Sequence, residues 1–136
     1  VEVYMSIQWV GQRGRNDCWI AALAMITEQS YDAVLAEVVD QGSGADWFVS
    51  DSYLEAKGYA VARKFDSIPH LGERHREPWP PEPWAEVHIC SVQASNGAGH
   101  AVVMLRDGSV FDPNSPTLRR LTEYPKVYAV AAVTKL

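Results

Sequence analysis

The sequence predicts an α+β fold, and three observations carry that expectation. Apolar residues recur at helical spacing early in the chain, a run of prolines then divides it, and alternating strand-like segments fill the rest. At 136 residues, 47% of them hydrophobic and 21% charged, the chain is long enough for one core and short for two. A single domain is expected over 1–136, with a helical part at about 12–65, a crossing segment at about 66–83 and a β part at about 84–136.

Val1 to Trp9 alternate loosely and read as a short strand leading to Gln12. Gly11 and Gly14 mark a turn, after which Asn16 or Asp17 offers a side-chain acceptor to the free amides of a helix start. From Cys18, residues Trp19, Ala22, Leu23, Met25 and Ile26 recur at helical spacing with no glycine or proline before Gln29. Ser30 is placed to cap a second helix, with Val34, Leu35, Val38 and Val39 on one face and the stretch Gln41 to Gly44 ending it. A third helix, starting near Asp46 or Asp51, runs to Lys57 and stops at Gly58. Tyr59 to Phe65 then reads as a strand.

Asp66 to Pro83 is loop-like. Its end, Glu77 to Pro83, holds four prolines and suits a stiff crossing rather than regular structure. The tryptophans of Pro78 to Trp84 are read as a cover over the core, with the lining of a substrate groove as the alternative. Strands follow at Trp84–Val92, His100–Arg106, Ser109–Asp112 and Lys126–Thr134, with Asp107 and Gly108 as a hairpin signal.

Composition excludes several functions. A net charge of −5 disfavours a nucleic-acid backbone as partner, and no apolar run is long enough for a membrane span. The N-terminus lacks the layout of a secretion signal, so a cytoplasmic location is expected; Val1 is compatible with a trimmed start and Met5 with a native one. Only two cysteines are present, Cys18 and Cys90, and they read as reduced thiols rather than a disulfide framework. Their spacing alone leaves a bridge between them open.

The chemistry centres on Cys18. A buried structural thiol is the ordinary fate of a lone cysteine, but this one opens a helix, where the partial positive charge favours thiolate. Asp17 opposes that effect unless it is turned away or used as a cap. Gln12, six residues earlier, can supply a side-chain amide that joins the Cys18 N–H in meeting the negative charge of an acyl-transfer transition state. Of four histidines, His70 and His75 fall in the polar loop. His88 shares a strand face with Cys90, a pair that could bind metal, but no second ligand pair has matching spacing. His100 opens an apolar strand straight after Gly99, where a small residue lets another chain approach the imidazole, and it is the best general base.

Asp112 can orient His100 only if both side chains lie on one face. A two-residue loop at Asp107 and Gly108 sets Asp112 across from Val103, on the wrong face. A three-residue loop, Arg106 to Gly108 with the glycine left-handed, sets it across from Val102 and diagonal to His100. That register also sets Asn114 across from His100, which makes Asn114 the alternative orienter.

Together, Gln12, five intervening residues, Cys18-Trp19 on a helix, Gly99-His100 before paired valines and Asp112-Pro113 resemble the papain-like cysteine peptidases. The likeness is nearest to the bacterial double-glycine leader peptidase group. It implies a papain-like fold in which the nucleophile helix packs on a C-terminal antiparallel sheet. It implies Cys18 as nucleophile, His100 as base and acid, Asp112 as orienter and Gln12 as oxyanion donor, with Trp19 and Gly99 as candidates for a substrate groove. Trp19 is the papain-type choice, where the bacterial group usually has a small residue.

The expectation is therefore a cysteine peptidase or isopeptidase acting on a peptide or protein, with no cofactor, metal, nucleic acid or membrane needed. The same site supports deamidation, transglutamination or acyl transfer. A silent papain-fold binding domain and a redox thiol protein are the alternatives of other classes, the last lacking a Cys-x-x-Cys motif.

Overall fold

Helix α1 (Cys18–Thr27) forms because its sequence, rich in alanine, leucine and methionine, has neither glycine nor proline, and it is buried throughout from Ala21 to Ile26. The computed structural model describes residues 7–14, 17–38, 47–68, 73–74 and 78–136. The expected first strand falls largely outside these, as do Asn16, Val39, the stretch 41–44, His70 and His75; Ile7 to Val10 are not in a strand. Helix α2 (Tyr31–Val38) starts as expected, with the Ser30 hydroxyl accepting the Ala33 amide at 3.1 Å, and it buries Val34 and Val38. Helix α3 (Trp47–Ala56) buries Tyr53 and Leu54 and gives way at Gly58, whose φ of +92° suits a residue without a Cβ.

The chain then builds β1 (Tyr59–Phe65), the two-residue strands β2 (Ser67–Ile68) and β3 (Glu73–Arg74), β4 (Val87–Gln93), β5 (Gly99–Leu105), β6 (Val110–Asp112), β7 (Ser115–Arg119) and β8 (Lys126–Lys135). Six of these form one antiparallel sheet in the order β1-β8-β4-β5-β6-β7, and β2 pairs with β3 separately. The fold is α+β, three helices packed on an antiparallel sheet. Strand β1 precedes the proline-rich stretch in sequence, yet it joins the sheet beside β8.

Both faces of the sheet are covered, and alternation along the strands sorts the core into two clusters. Ile89, Ala101, Val103, Ala131 and Val133 face the helices. Cys90, Val92, Val102, Met104, Val110 and Val130 face the other way, where Trp79, Trp84, Leu121 and Tyr124 close over them. Trp79 is fixed there by its indole N–H, which donates to the Val127 carbonyl at 2.8 Å. The tryptophans of the crossing segment thus cover the core, as their composition suggests.

The turn between β5 and β6 sets the register that matters most. Val103 faces Phe111 and Met104 faces Val110, the Leu105 amide donates to Ser109 at 2.9 Å, and Gly108 has φ +86°. This is the three-residue loop, and continuing its register places Asp112 across from Val102.

Candidate active site

Three elements deliver the site: the first residue of α1, the start of β5 and the end of β6. The Cys18 sulfur accepts the Ala101 backbone amide at 3.4 Å, which fixes the tip of α1 against β5. His100 Nε2 lies 2.6 Å from Asp112 Oδ1. Cys18 is near enough to act on the His100 proton, and with Nε2 engaged by Asp112 the ring nitrogen left for it is Nδ1. Cys18, His100 and Asp112 are 5%, 7% and 5% exposed, so little water reaches the network and its charges act on one another at full strength.

The electrostatics follow from this geometry. Burial pulls the His100 imidazolium down, but the hydrogen bonds and charges of Asp112 and Cys18 outweigh it and push His100 up to about 9. For Asp112, burial raises the carboxyl, while the bonds from His100, Tyr124 and the Asn114 amide more than offset it and hold the group below its ordinary value. The Asp112 carboxylate is fully used: Oδ1 also accepts the Asn114 amide at 2.8 Å and Oδ2 accepts the Tyr124 hydroxyl at 2.7 Å. Asn114 meets the network through its backbone, and its side chain is exposed.

Gln12 lies beside this group by way of its backbone, whose amide donates to the Pro113 carbonyl at 2.9 Å. Its side-chain nitrogen donates to the Gly14 carbonyl at 2.7 Å, which leaves the second amide hydrogen for another acceptor. Gly99 is exposed, and a Cβ there would meet nothing within 4 Å. Trp19 is half-buried against the helix-side cluster.

Asp17 departs from the capping role read from the sequence. Its carboxylate makes no side-chain bond to the start of α1 and turns back to accept the Arg13 amide at 2.6 Å, the Gly14 amide at 2.9 Å and the Tyr31 hydroxyl. The loop before α1 brings the Arg13 and Gly14 amides to the carboxylate in place of those of the helix. The Asp17 carboxylate is thus engaged with the loop and with Tyr31 rather than with the start of α1.

His88 and Cys90 are structural. His88 Nε2 accepts the amides of Trp84 at 3.1 Å and Ala85 at 3.2 Å, and Nδ1 faces the Met104 carbonyl at 3.2 Å, so both ring nitrogens are occupied. Burial favours its neutral form. Cys90 is fully buried, burial pushes its thiol strongly up, and both cysteines are free thiols.

Two contacts to Asp112 escaped the sequence reading. Tyr124 sits in an irregular segment with no periodicity to mark it. The Trp9 indole N–H donates to the Asp112 backbone carbonyl at 2.7 Å from a stretch read as a strand.

Two solved structures resemble this architecture along nearly its whole length. One is the peptidase domain of Streptococcus ComA, a bifunctional ABC transporter involved in a quorum-sensing pathway; it matches with a TM-score of 0.65 and 14% identity, over 96% of this chain and 99% of that one. The other is a double-glycine-motif protease from an AMS/PCAT transporter in complex with the leader peptide, with a TM-score of 0.60 and 13% identity, over 98% of this chain and 94% of that one. No family model and no curated protein matches the sequence. The likeness shows that this α+β chain shares the fold of these two peptidase domains.

Proposed function

We propose that this chain is a cysteine-dependent hydrolase that cleaves a peptide or protein amide bond through a thioester on Cys18. The observation that carries the reading is the Cys18–His100–Asp112 line, in which one imidazole nitrogen lies 2.6 Å from a buried carboxylate and the amide of the next residue, Ala101, donates to the Cys18 sulfur at 3.4 Å. The resemblance in fold to peptidase domains, one of them bound to a leader peptide, favours a peptide as substrate.

In this mechanism His100 Nδ1 takes the Cys18 proton and the sulfur attacks the substrate carbonyl carbon. Asp112 holds the ring in place and stabilises the imidazolium. The negative oxygen that forms is met by the Cys18 N–H at the helix start and by an amide hydrogen of Gln12. His100 then protonates the leaving amine as the C–N bond breaks. A water that gives its proton back to His100 attacks the thioester, releasing the acid and restoring the thiol.

Mass spectrometry of the protein quenched during turnover of a mixed peptide pool tests this. An acyl adduct on Cys18, together with loss of cleavage in Cys18→Ala and His100→Ala, is the expected result. Cleavage that persists in Cys18→Ala overturns it.

A further inference from the structure

Asp112 carries more donors than orienting a histidine requires, and the last of them comes from outside the triad. Its Oδ1 is shared by His100 Nε2 and the Asn114 amide, while its Oδ2 accepts the Tyr124 hydroxyl at 2.7 Å. Among the described residues the other charged group facing that oxygen is Arg119 on β7, whose Nε is 3.9 Å away, too far for a hydrogen bond, and whose guanidinium also faces Glu123. The Asp112 side chain is 8% exposed, so water is poorly placed to replace a lost donor.

We infer that Tyr124 is a positioning residue that acts on the Cys18–His100 pair through Asp112, locking the carboxylate in the rotation that presents Oδ1 to His100 Nε2. The tyrosine suits the task. Burial and the neighbouring Asp112 push its hydroxyl strongly up, so it stays a protonated donor at working pH. Its ring packs on the cluster formed by Val102, Val110 and Val130, which fixes the direction of the O–H bond. Without that bond Oδ2 is buried and unpaired, and the carboxylate either turns toward Arg119 or takes up a proton. Both outcomes weaken its hold on the imidazolium.

The inference rests on the proposed roles of Cys18 and His100, and its test uses iodoacetate, which needs no known substrate. This anionic reagent reacts fastest while the thiolate has an imidazolium beside it, so the alkaline limb of Cys18 alkylation reports His100. In Tyr124→Phe, which keeps the ring, the limb is expected to fall by about half a pH unit or more, which lowers the rate on that limb by about threefold. Arg119→Gln is expected to stay within about twofold of the parent rate, because its guanidinium lies beyond hydrogen-bond reach of Asp112.

A parent profile unchanged in folded Tyr124→Phe overturns the inference and leaves the reading of the active site intact. Slow alkylation of the parent that His100→Ala does not alter overturns both. Should Tyr124→Phe not fold, the Tyr124 hydroxyl proton of the parent is followed by NMR. A shift of that resonance on carboxymethylation of Cys18 supports the coupling, and an unmoved resonance overturns it.

Discussion

The backbone amide of Gln12 donates to the carbonyl of Pro113 at 2.9 Å, which joins the loop leading into α1 to the turn that follows Asp112. Residues about a hundred positions apart thus share one hydrogen bond, and the two ends of the proposed catalytic line are held to a common frame. The Trp9 indole reinforces it from the same loop by its bond to the Asp112 carbonyl.

Gly11 tests that frame. A Cβ at position 11 would stand 2.6 Å from the Trp9 ring, so Gly11→Ala must displace the indole. The expected result is loss of the Trp9–Asp112 bond, a stability decrease of about 1 kcal/mol and slower alkylation of Cys18. Thermal melts and labelling rates measure the two effects, and Trp9→Phe should reproduce both.

The orienter is decided by comparing Asp112→Asn with Asn114→Ala. Asn114 reaches Asp112 through its main chain, so truncating its exposed side chain should change kcat by no more than about threefold. Asp112→Asn removes the charge that the imidazolium faces at 2.6 Å and should lower kcat by about a hundredfold or more. Equal losses in the two variants would reject Asp112 as the orienter.

That comparison bears on what the sequence disclosed. Cys18, His100 and Asp112 each lie on or beside a regular element, which is what made them candidates; the sequence left the parity of the Arg106–Gly108 loop open, and the three-residue loop of the structure sets His100 and Asp112 on one face. Tyr124 was not legible, since it follows a short 3₁₀ turn at Leu121–Glu123 and its partner comes from folding rather than from spacing. Strand β7 was missed for a related reason: Ser115 to Arg119 is an edge strand with its middle residues exposed, so no alternation marks it. Asp17 misled because a helix-start aspartate has two sets of amides within reach, and only the path of the loop decides between them.

Stability should vary with pH in a direction set by His100. Its folded value lies near 9 against an ordinary 6.5, so its contribution is complete below pH 6.5 and fades as pH rises through about 9. Asp112, depressed in the fold, contributes above its ordinary 3.8 and loses that contribution as pH falls through its lower folded value. Thermal melts across this range should show a decline on the alkaline side that is smaller in His100→Ala. An identical alkaline slope in the variant would contradict the assignment.

The Asp17 carboxylate predicts a separate loss. Asp17→Ala removes the acceptor of two backbone amides and the Tyr31 hydroxyl, and should cost about 1–3 kcal/mol in denaturant melts. Tyr31→Phe removes one of those bonds and should cost about 1 kcal/mol. A double variant no worse than Asp17→Ala would show that the two act as one unit.

The two-sided packing of the sheet gives the thiol a property of its own. Cys18 belongs to the helix-side cluster, whereas the alternation of β5 puts His100 with Val102 and Met104 on the opposite layer. A chain in which one layer has assembled without the other would therefore hold an ordinary, sluggish sulfhydryl. On the proposed reading of the site, the thiol gains its imidazole neighbour only when both layers are in place.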